Sequence, residues 1–288
     1  MTCPARAFRL PVLPGTICLT LPLRHEIVRG MIPSPRRIVI GLFLIVIVVL
    51  SSTAFGAEIR VFCTFGLQGA ITQLAPQFER ETGNKLILTF GSTGGVAARA
   101  KNGEPFDVII VSDTAMAGLV KLGKVVEQGR TDIARVGISV AIRPGASRPD
   151  ISSVESFKAA LLAAKSISYT NPVDGGFSGV YFAELIKRLG IAEKLAPKTK
   201  LARGGTSSGV LVASGEAEIA IQTTSDLVPT PGIEIIGPLP AEIQNFTVIS
   251  AGIGAEAADP AAAKRLILLL SSPTVYPVLR ETGLQPPK

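Results

Sequence analysis

The chain has 288 residues, with 29 Lys and Arg against 22 Asp and Glu, three cysteines and one histidine, His25. Residues 1–56 hold six of the basic residues (Arg6, Arg9, Arg24, Arg29, Arg36 and Arg37) and one acidic residue, Glu26; the remainder carries 23 against 21, a net charge of +2. That removes the basis for a nucleic-acid-binding stripe. Because His25, Cys3 and Cys18 all precede residue 57, the remainder also lacks the parts of a His-based catalytic device or a usual zinc site.

Arg36-Arg37 precede an apolar run of 13 residues, Ile38 to Leu50, and small residues follow through Ala57. A positive start, a short apolar stretch and a small-residue exit describe a secretory signal peptide. The run is shorter than the roughly 20 residues of a membrane-spanning helix. Cleavage after Gly56 puts Ala54 and Gly56 at the two small-residue positions and sends the protein to the periplasm; a retained anchor is the alternative. Met31 is a second candidate start beside Met1, so residues 1–56 are set aside as upstream extension and signal peptide. The rest, 57–288, is long enough to bury a sizeable core as one large domain or two small ones. With Cys63 as its only cysteine it forms no internal disulfide, and the apolar stretch Val61-Phe62-Cys63 reads as buried.

Strand-like and helix-like runs then alternate. Ile59–Phe62 reads as a strand; Ile71, Leu74, Ala75 and Phe78 form a helical stripe closed by Thr82-Gly83. Leu86–Phe90 is the next strand, and a short helix runs from Val96 to Ala100. Phe106–Val111 reads as a buried strand, with Ser112-Asp113 capping a helix through Met116, Leu119 and Leu122. Val136–Ile142 reads as one strand, Phe157 to Ala164 as a helix and Ile167–Tyr169 as a strand. A helix follows through Phe182, Leu185, Ile186 and Leu189, then a strand Ile219–Gln222, a strand Phe246–Ile249 and a helix through Ala263, Leu266, Ile267 and Leu270. This order predicts mostly parallel sheets covered on both faces, with ligands at the carboxyl ends of the strands.

Three loops at such ends carry the chemistry. They are Gly91-Ser92-Thr93-Gly94-Gly95, the turn Asn171 to Gly176 that leads into Ser178-Gly179-Val180, and Gly204-Gly205-Thr206-Ser207-Ser208-Gly209. Each delivers the start of a helix, whose free N–H groups and positive dipole end favour an anion without a charged side chain. As ordinary turns they need no ligand at all.

From Ile59 onward the ordered motifs resemble the periplasmic molybdate-binding protein family of ABC importers. The matching stretches include Val61-Phe62 with Leu67 and Ala70, Ala75-Pro76-Gln77-Phe78, Phe90–Gly95, Gly103-Glu104-Pro105-Phe106-Asp107-Val108, Gly179-Val180-Tyr181, Gly215 to Ala220 and Ser225-Asp226. The resemblance implies an α/β, two-lobed type II periplasmic binding protein fold, with mixed, mostly parallel sheets flanked by helices and a ligand cleft between the lobes. The first lobe would comprise residues 57–139 and 248–288 and the second 140–247, joined by strands near 137–142 and 246–251. It implies a monomeric binding protein, not an enzyme, without cofactor, metal or nucleic-acid partner. Its partners would be a small anionic ligand and an inner-membrane permease with its ATPase.

Carried over position by position, the family's ligand set falls on Gly66, Ser92, Thr93, Gly94, Ser178, Gly179, Gly205, Thr206 and Thr223. Gly66 stands where the family has a serine, Thr93 keeps a hydroxyl, Ser178-Gly179 and Gly205-Thr206 supply backbone donors, and Thr223 replaces a tyrosine. Loss of donors and gain of room at Gly66 and Thr223 admit a larger oxyanion or a small organic acid as well as molybdate. Arg203 reads either as a fork for a carboxylate or as a surface residue, and Asp174 as a reader of a ligand hydroxyl or a turn former. The competing class is a secreted two-lobed enzyme acting on a small anion through a cleft carboxylate, for which Asp113, Asp174 and Asp226 are the loop candidates.

Overall fold

The structure, a computed structural model, is described for residues 56–287. The expected leader, its apolar run and the choice of start lie outside these residues. Among the described residues no helix is long and apolar enough to cross a membrane.

The first part of the chain forms β1 (Glu58–Thr64), α1 (Gln68–Thr82), β2 (Lys85–Gly91), α2 (Thr93–Lys101), β3 (Val108–Ser112), α3 (Asp113–Lys121) and β4 (Thr131–Val136). Then come β5 (Ile138–Ile142), α4 (Val154–Ala163), β6 (Ile167–Thr170), α5 (Phe177–Arg188), α6 (Ala192–Leu195), β7 (Thr199–Ala202), α7 (Ser208–Ala213), β8 (Ile219–Thr223), α8 (Thr224–Leu227) and β9 (Glu234–Pro238). The chain closes with β10 (Thr247–Ile253), α9 (Pro260–Ser271) and α10 (Tyr276–Glu281).

Two five-stranded sheets result, ordered β2-β1-β3-β10-β4 and β7-β6-β8-β5-β9. In the first, β1 pairs parallel with β2 and β3, and β10 runs antiparallel between β3 and β4. In the second, β6 pairs parallel with β7 and β8, and β5 runs antiparallel between β8 and β9. Each sheet thus repeats one plan, three parallel strands whose carboxyl ends share an edge and one reversed strand inserted beside them. The fold is that of a two-lobed periplasmic binding protein.

Strand alternation divides each core into two faces. Val61, Cys63, Val108 and Ile110 pack on the α1 and α9 side with Ile71, Leu74, Phe78 and Leu266. Phe62, Ile109 and Val111 point the other way, onto Val96, Met116 and Leu119 of α2 and α3. In the second sheet Val140, Ile167 and Ile221 pack on Phe157, Phe182 and Leu185, while Ala141 and Ala220 face Val212 and Leu227. Cys63 is fully buried, and burial pushes its thiol far up, so it behaves as a small hydrophobe. The α1 helix ends at Gly83, whose φ of 72° suits the left-handed cap and whose N–H donates to Glu79 O at 2.9 Å.

The run Val136–Ile142, expected as one strand, is two. β4 ends at Val136 in the first sheet and β5 begins at Ile138 in the second. Gly137 makes the step, in a space where a Cβ would lie 2.9 Å from the Phe246 ring. Gln244, on the returning connection, grips the same step: its Oε1 accepts the Ile138 N–H at 3.0 Å and its Nε2 donates to Ile138 O at 2.9 Å. The two crossings between sheets are therefore tied side by side.

Candidate functional site

A cleft of about 540 Å³ opens where the carboxyl ends of the parallel strands of both sheets meet. Of the residues the sequence singles out, Gly66, Ser92, Thr93, Ser178, Gly205, Thr206 and Thr223 lie on its wall. Gly94 and Gly179 do not; each packs against another stretch of backbone, Gly94 at ordinary contact distance and Gly179 far closer. A Cβ on Gly179 would lie 2.2 Å from Thr170 O, so only glycine lets the start of α5 rest against the end of β6. The Gly94 Cβ position is 3.5 Å from the Gly175 Cα, a contact that bridges the two lobes. Phe65 makes the second bridge, its ring 3.1 Å from the Cβ position of Gly205, whose φ of 82° favours glycine on its own account.

Ser92 caps α2, its Oγ accepting from Gly95 N at 3.1 Å, which leaves its own proton to give. Thr93 begins that helix, and its Oγ1 is 3.0 Å from the Oγ1 of Thr64; one of the two hydroxyl protons serves that bond and the other is free for a ligand. Thr64 was not anticipated. The β1–β2 register, which sets Thr64 opposite Gly91, carries it to the loop that Thr93 occupies.

α5 has no side-chain cap, because its N-cap residue is Gly176. The first N–H to return to the chain is that of Val180, to Gly176 O at 3.1 Å; those of Phe177, Ser178 and Gly179 find no acceptor among the described residues. A partly buried helix start with three open donors calls for an external acceptor. Beside it the Thr170 Oγ1 is buried and, among the described residues, has no hydrogen-bond partner; the Ser225 Oγ, 3.6 Å from the Cβ position of Gly66, is in the same state. Both residues line the cleft. A buried hydroxyl that lacks a protein partner and also lines a cleft is a candidate contact for a bound molecule.

Other expected donors are already committed. The Thr206 N–H donates to Arg203 O at 3.0 Å, which leaves Thr206 its hydroxyl. The Thr223 Oγ1 donates to the Asp226 Oδ2 at 2.6 Å. Asp174 lines the cleft and accepts the Gly204 N–H at 3.2 Å, so the turn role and the wall position coincide. Among the described residues Arg203 is not on the wall, and no Lys, Arg or His is; the ionisable ones there are Asp174 and Asp226. Burial pushes the Asp226 carboxyl above the usual carboxylate range, against the hydrogen bonds from Thr223 and Gln222, which act the other way. Phe65, Phe177, Val136, Pro229 and Ile249 supply apolar wall. Among the described residues no group of three or more His, Cys, Asp or Glu is placed to hold a metal ion.

Comparison with known proteins agrees with this architecture. A sequence model of the bacterial extracellular solute-binding protein family matches residues 59–285. An aconitate isomerase of Pseudomonas sp is 31% identical over 79% of this chain and 87% of its own. The molybdate-binding protein ModA of Azotobacter vinelandii is 30% identical over 81% of this chain and 92% of its own. The solved structure of the Azotobacter vinelandii periplasmic molybdate-binding protein superposes with a TM-score of 0.65 at 22% identity, covering 80% of this chain and all of that one, and so supports the fold. Two sheets built to one plan, a hydroxyl-lined cleft at their shared edge and a family match spanning nearly all the described residues lead to one conclusion: the chain belongs to the bacterial extracellular solute-binding protein family and is of the molybdate-binding-like type.

Proposed function

We propose that this protein is a periplasmic solute-binding protein of an ABC importer that captures a small organic acid in the cleft. The observation that carries this is the uncapped start of α5, with three open N–H groups beside the unpartnered Thr170 hydroxyl. Such a site suits a carboxylate or other oxyanion, and with no cation on the wall among the described residues its charge is met by dipoles and hydroxyls. Size and surface favour an organic ligand over an inorganic one. A cleft of about 540 Å³ falls within the range of pockets that hold organic molecules. A tetrahedral oxyanion displaces only a few waters of about 30 Å³ each and would leave Phe65, Phe177 and Ile249 untouched. Thr64, Thr93, Thr170, Ser178 and Ser225 would hold the anionic group, and an inner-membrane permease with its ATPase would receive the loaded protein.

Native mass spectrometry of the protein purified from its cells, followed by isothermal titration with citrate, cis- and trans-aconitate, molybdate, tungstate and sulfate, tests the reading. An organic acid should bind with saturating 1:1 stoichiometry. Binding of molybdate or tungstate alone would reject the organic-acid assignment, and no binding by any of them would reject anion capture.

A second reading, isomerisation of a small unsaturated acid, is favoured by the carboxyl of Asp226 on the wall and by the similarity to an aconitate isomerase. Incubation with cis-aconitate followed by proton NMR distinguishes the two, since a binding protein leaves it unchanged.

A further inference from the structure

Asp226 has a protonation chemistry that anion capture by N–H groups and hydroxyls leaves unused. Its two carboxyl oxygens are not equivalent. Oδ2 receives both donors, the Thr223 Oγ1 at 2.6 Å and the Gln222 Nε2 at 3.2 Å. The Gln222 amide cannot be turned round, because its Oε1 accepts the Ser208 N–H at 2.7 Å and the Ser208 hydroxyl at 2.8 Å, and an N–H can only donate. With Oδ2 taking both donors, Oδ1 is the oxygen left for a proton; it has no hydrogen bond within the described residues and belongs to a side chain that lines the cleft.

Beyond the Thr223 and Gln222 donors, no cation among the described residues is packed there to hold a negative charge. The elements packed on α8 are β5, β8 and the Phe65–Leu67 turn, and none of them carries an ionisable side chain. Ser207, whose hydroxyl reaches the Asp226 carbonyl at 3.1 Å, and the turn at Thr282-Gly283 that abuts Thr224 and Ser225 add none. Among the described residues the other ionisable group on the cleft wall is a second carboxyl, Asp174.

We propose that Asp226 binds the ligand as an uncharged acid, its Oδ1 proton donated to an anionic group, so that capture requires one proton on this side chain. The proposal rests on the reading that the cleft takes a small anion. An ionised Asp226 would present a lone-pair oxygen and a like charge to that anion. Affinity is therefore highest where Asp226 is protonated and falls as pH rises through its titration, by up to about tenfold per pH unit. Burial moves that fall upward from the ordinary carboxylate range.

Isothermal titration with sulfate and with trans-aconitate from about pH 5 to pH 9 reads the effect in the wild type, Asp226→Asn and Asp226→Ala. The asparagine is the decisive variant. Its carbonyl oxygen can take the place of Oδ2 between Thr223 and Gln222, and its amide then donates into the cleft at every pH. The expected result is a wild-type affinity that falls with rising pH, an Asp226→Asn affinity that stays near the wild-type low-pH value throughout, and weak binding by Asp226→Ala. A flat wild-type profile, or an asparagine variant as weak as the alanine, overturns the proposal. So does a wild-type pH profile that survives in Asp226→Asn, since the titration would then belong to another group. If neither probe binds the wild type at any pH, the anion reading itself fails for these ligands, and the role of Asp226 toward them fails with it.

Discussion

Replacing Gly179 with alanine tests the contact on which the whole site depends. The added Cβ would stand 2.2 Å from the Thr170 carbonyl oxygen and 2.9 Å from its carbonyl carbon. Both atoms are backbone, so no side chain can swing away. Restoring even a 3.0 Å separation moves the start of α5 from the end of β6 by about 0.8 Å. Overpacking of this kind costs roughly 1–3 kcal/mol, or about 2–12 °C of Tm in a domain of this size. The same shift carries the N–H groups of Phe177, Ser178 and residue 179 away from the Thr170 hydroxyl. A bound anion that loses one of these donors loses about 1.5–3 kcal/mol, more than tenfold in Kd. Thermal melting and isothermal titration of Gly179→Ala measure both effects. Wild-type melting together with wild-type affinity would show that α5 neither rests on β6 nor serves the site.

Three further outcomes follow from the same geometry. Thr170→Val removes a buried hydroxyl that has no partner among the described residues, so the empty protein should melt at or above the wild-type temperature while anion affinity falls by about 1–3 kcal/mol; unchanged affinity in titration would place the ligand elsewhere. For Asp107, burial raises the carboxyl, but the side chain and N–H of Arg60 and the N–H of Ala258 outweigh it and hold the group below its usual range. The stability it contributes is therefore present above the ordinary carboxylate range and lost as pH falls through the depressed value. Asp107→Asn should be less stable at neutral pH by about 1–3 kcal/mol and show a shallower acid loss in urea titrations; an unchanged slope would contradict the assignment. Because Gly94–Gly175 and Phe65–Gly205 are contacts across the cleft, ligand should favour this closed arrangement, and small-angle scattering should show compaction on saturation; an unchanged profile with binding confirmed would reject closure.

Much of this was legible in the sequence because the signals are local. Ile71, Leu74 and Phe78 announce α1, Gly83 announces its end, and the Gly/Ser/Thr loops after β2, β6 and β7 reach the cleft as their positions suggest. What stayed hidden depends on partners distant in the chain. The step at Gly137 cannot be seen in Val136–Ile142, since both sheets bury their strands and the apolar run continues across the break. β7 and β9 are edge strands of four and five residues with mixed burial, too short and too polar for a period-2 signal. Thr64 becomes a cleft residue through parallel pairing with β2, and Gly179 becomes indispensable only once the Thr170 carbonyl is known to face it. Asp226 was visible as a loop carboxyl. The difference between its two oxygens was not, because it follows from the orientation of the Gln222 amide against α7.

If the start of α5 receives an anion, the amide resonances of Phe177, Ser178 and Gly179 report on it directly. Titration of nitrogen-15-labelled protein with an anion shown to bind, followed through these three amides, is the most direct measurement. Large downfield proton shifts at all three, saturating with the same Kd as the calorimetric titration, are the predicted result. Saturable binding that leaves the three amides unmoved would contradict it.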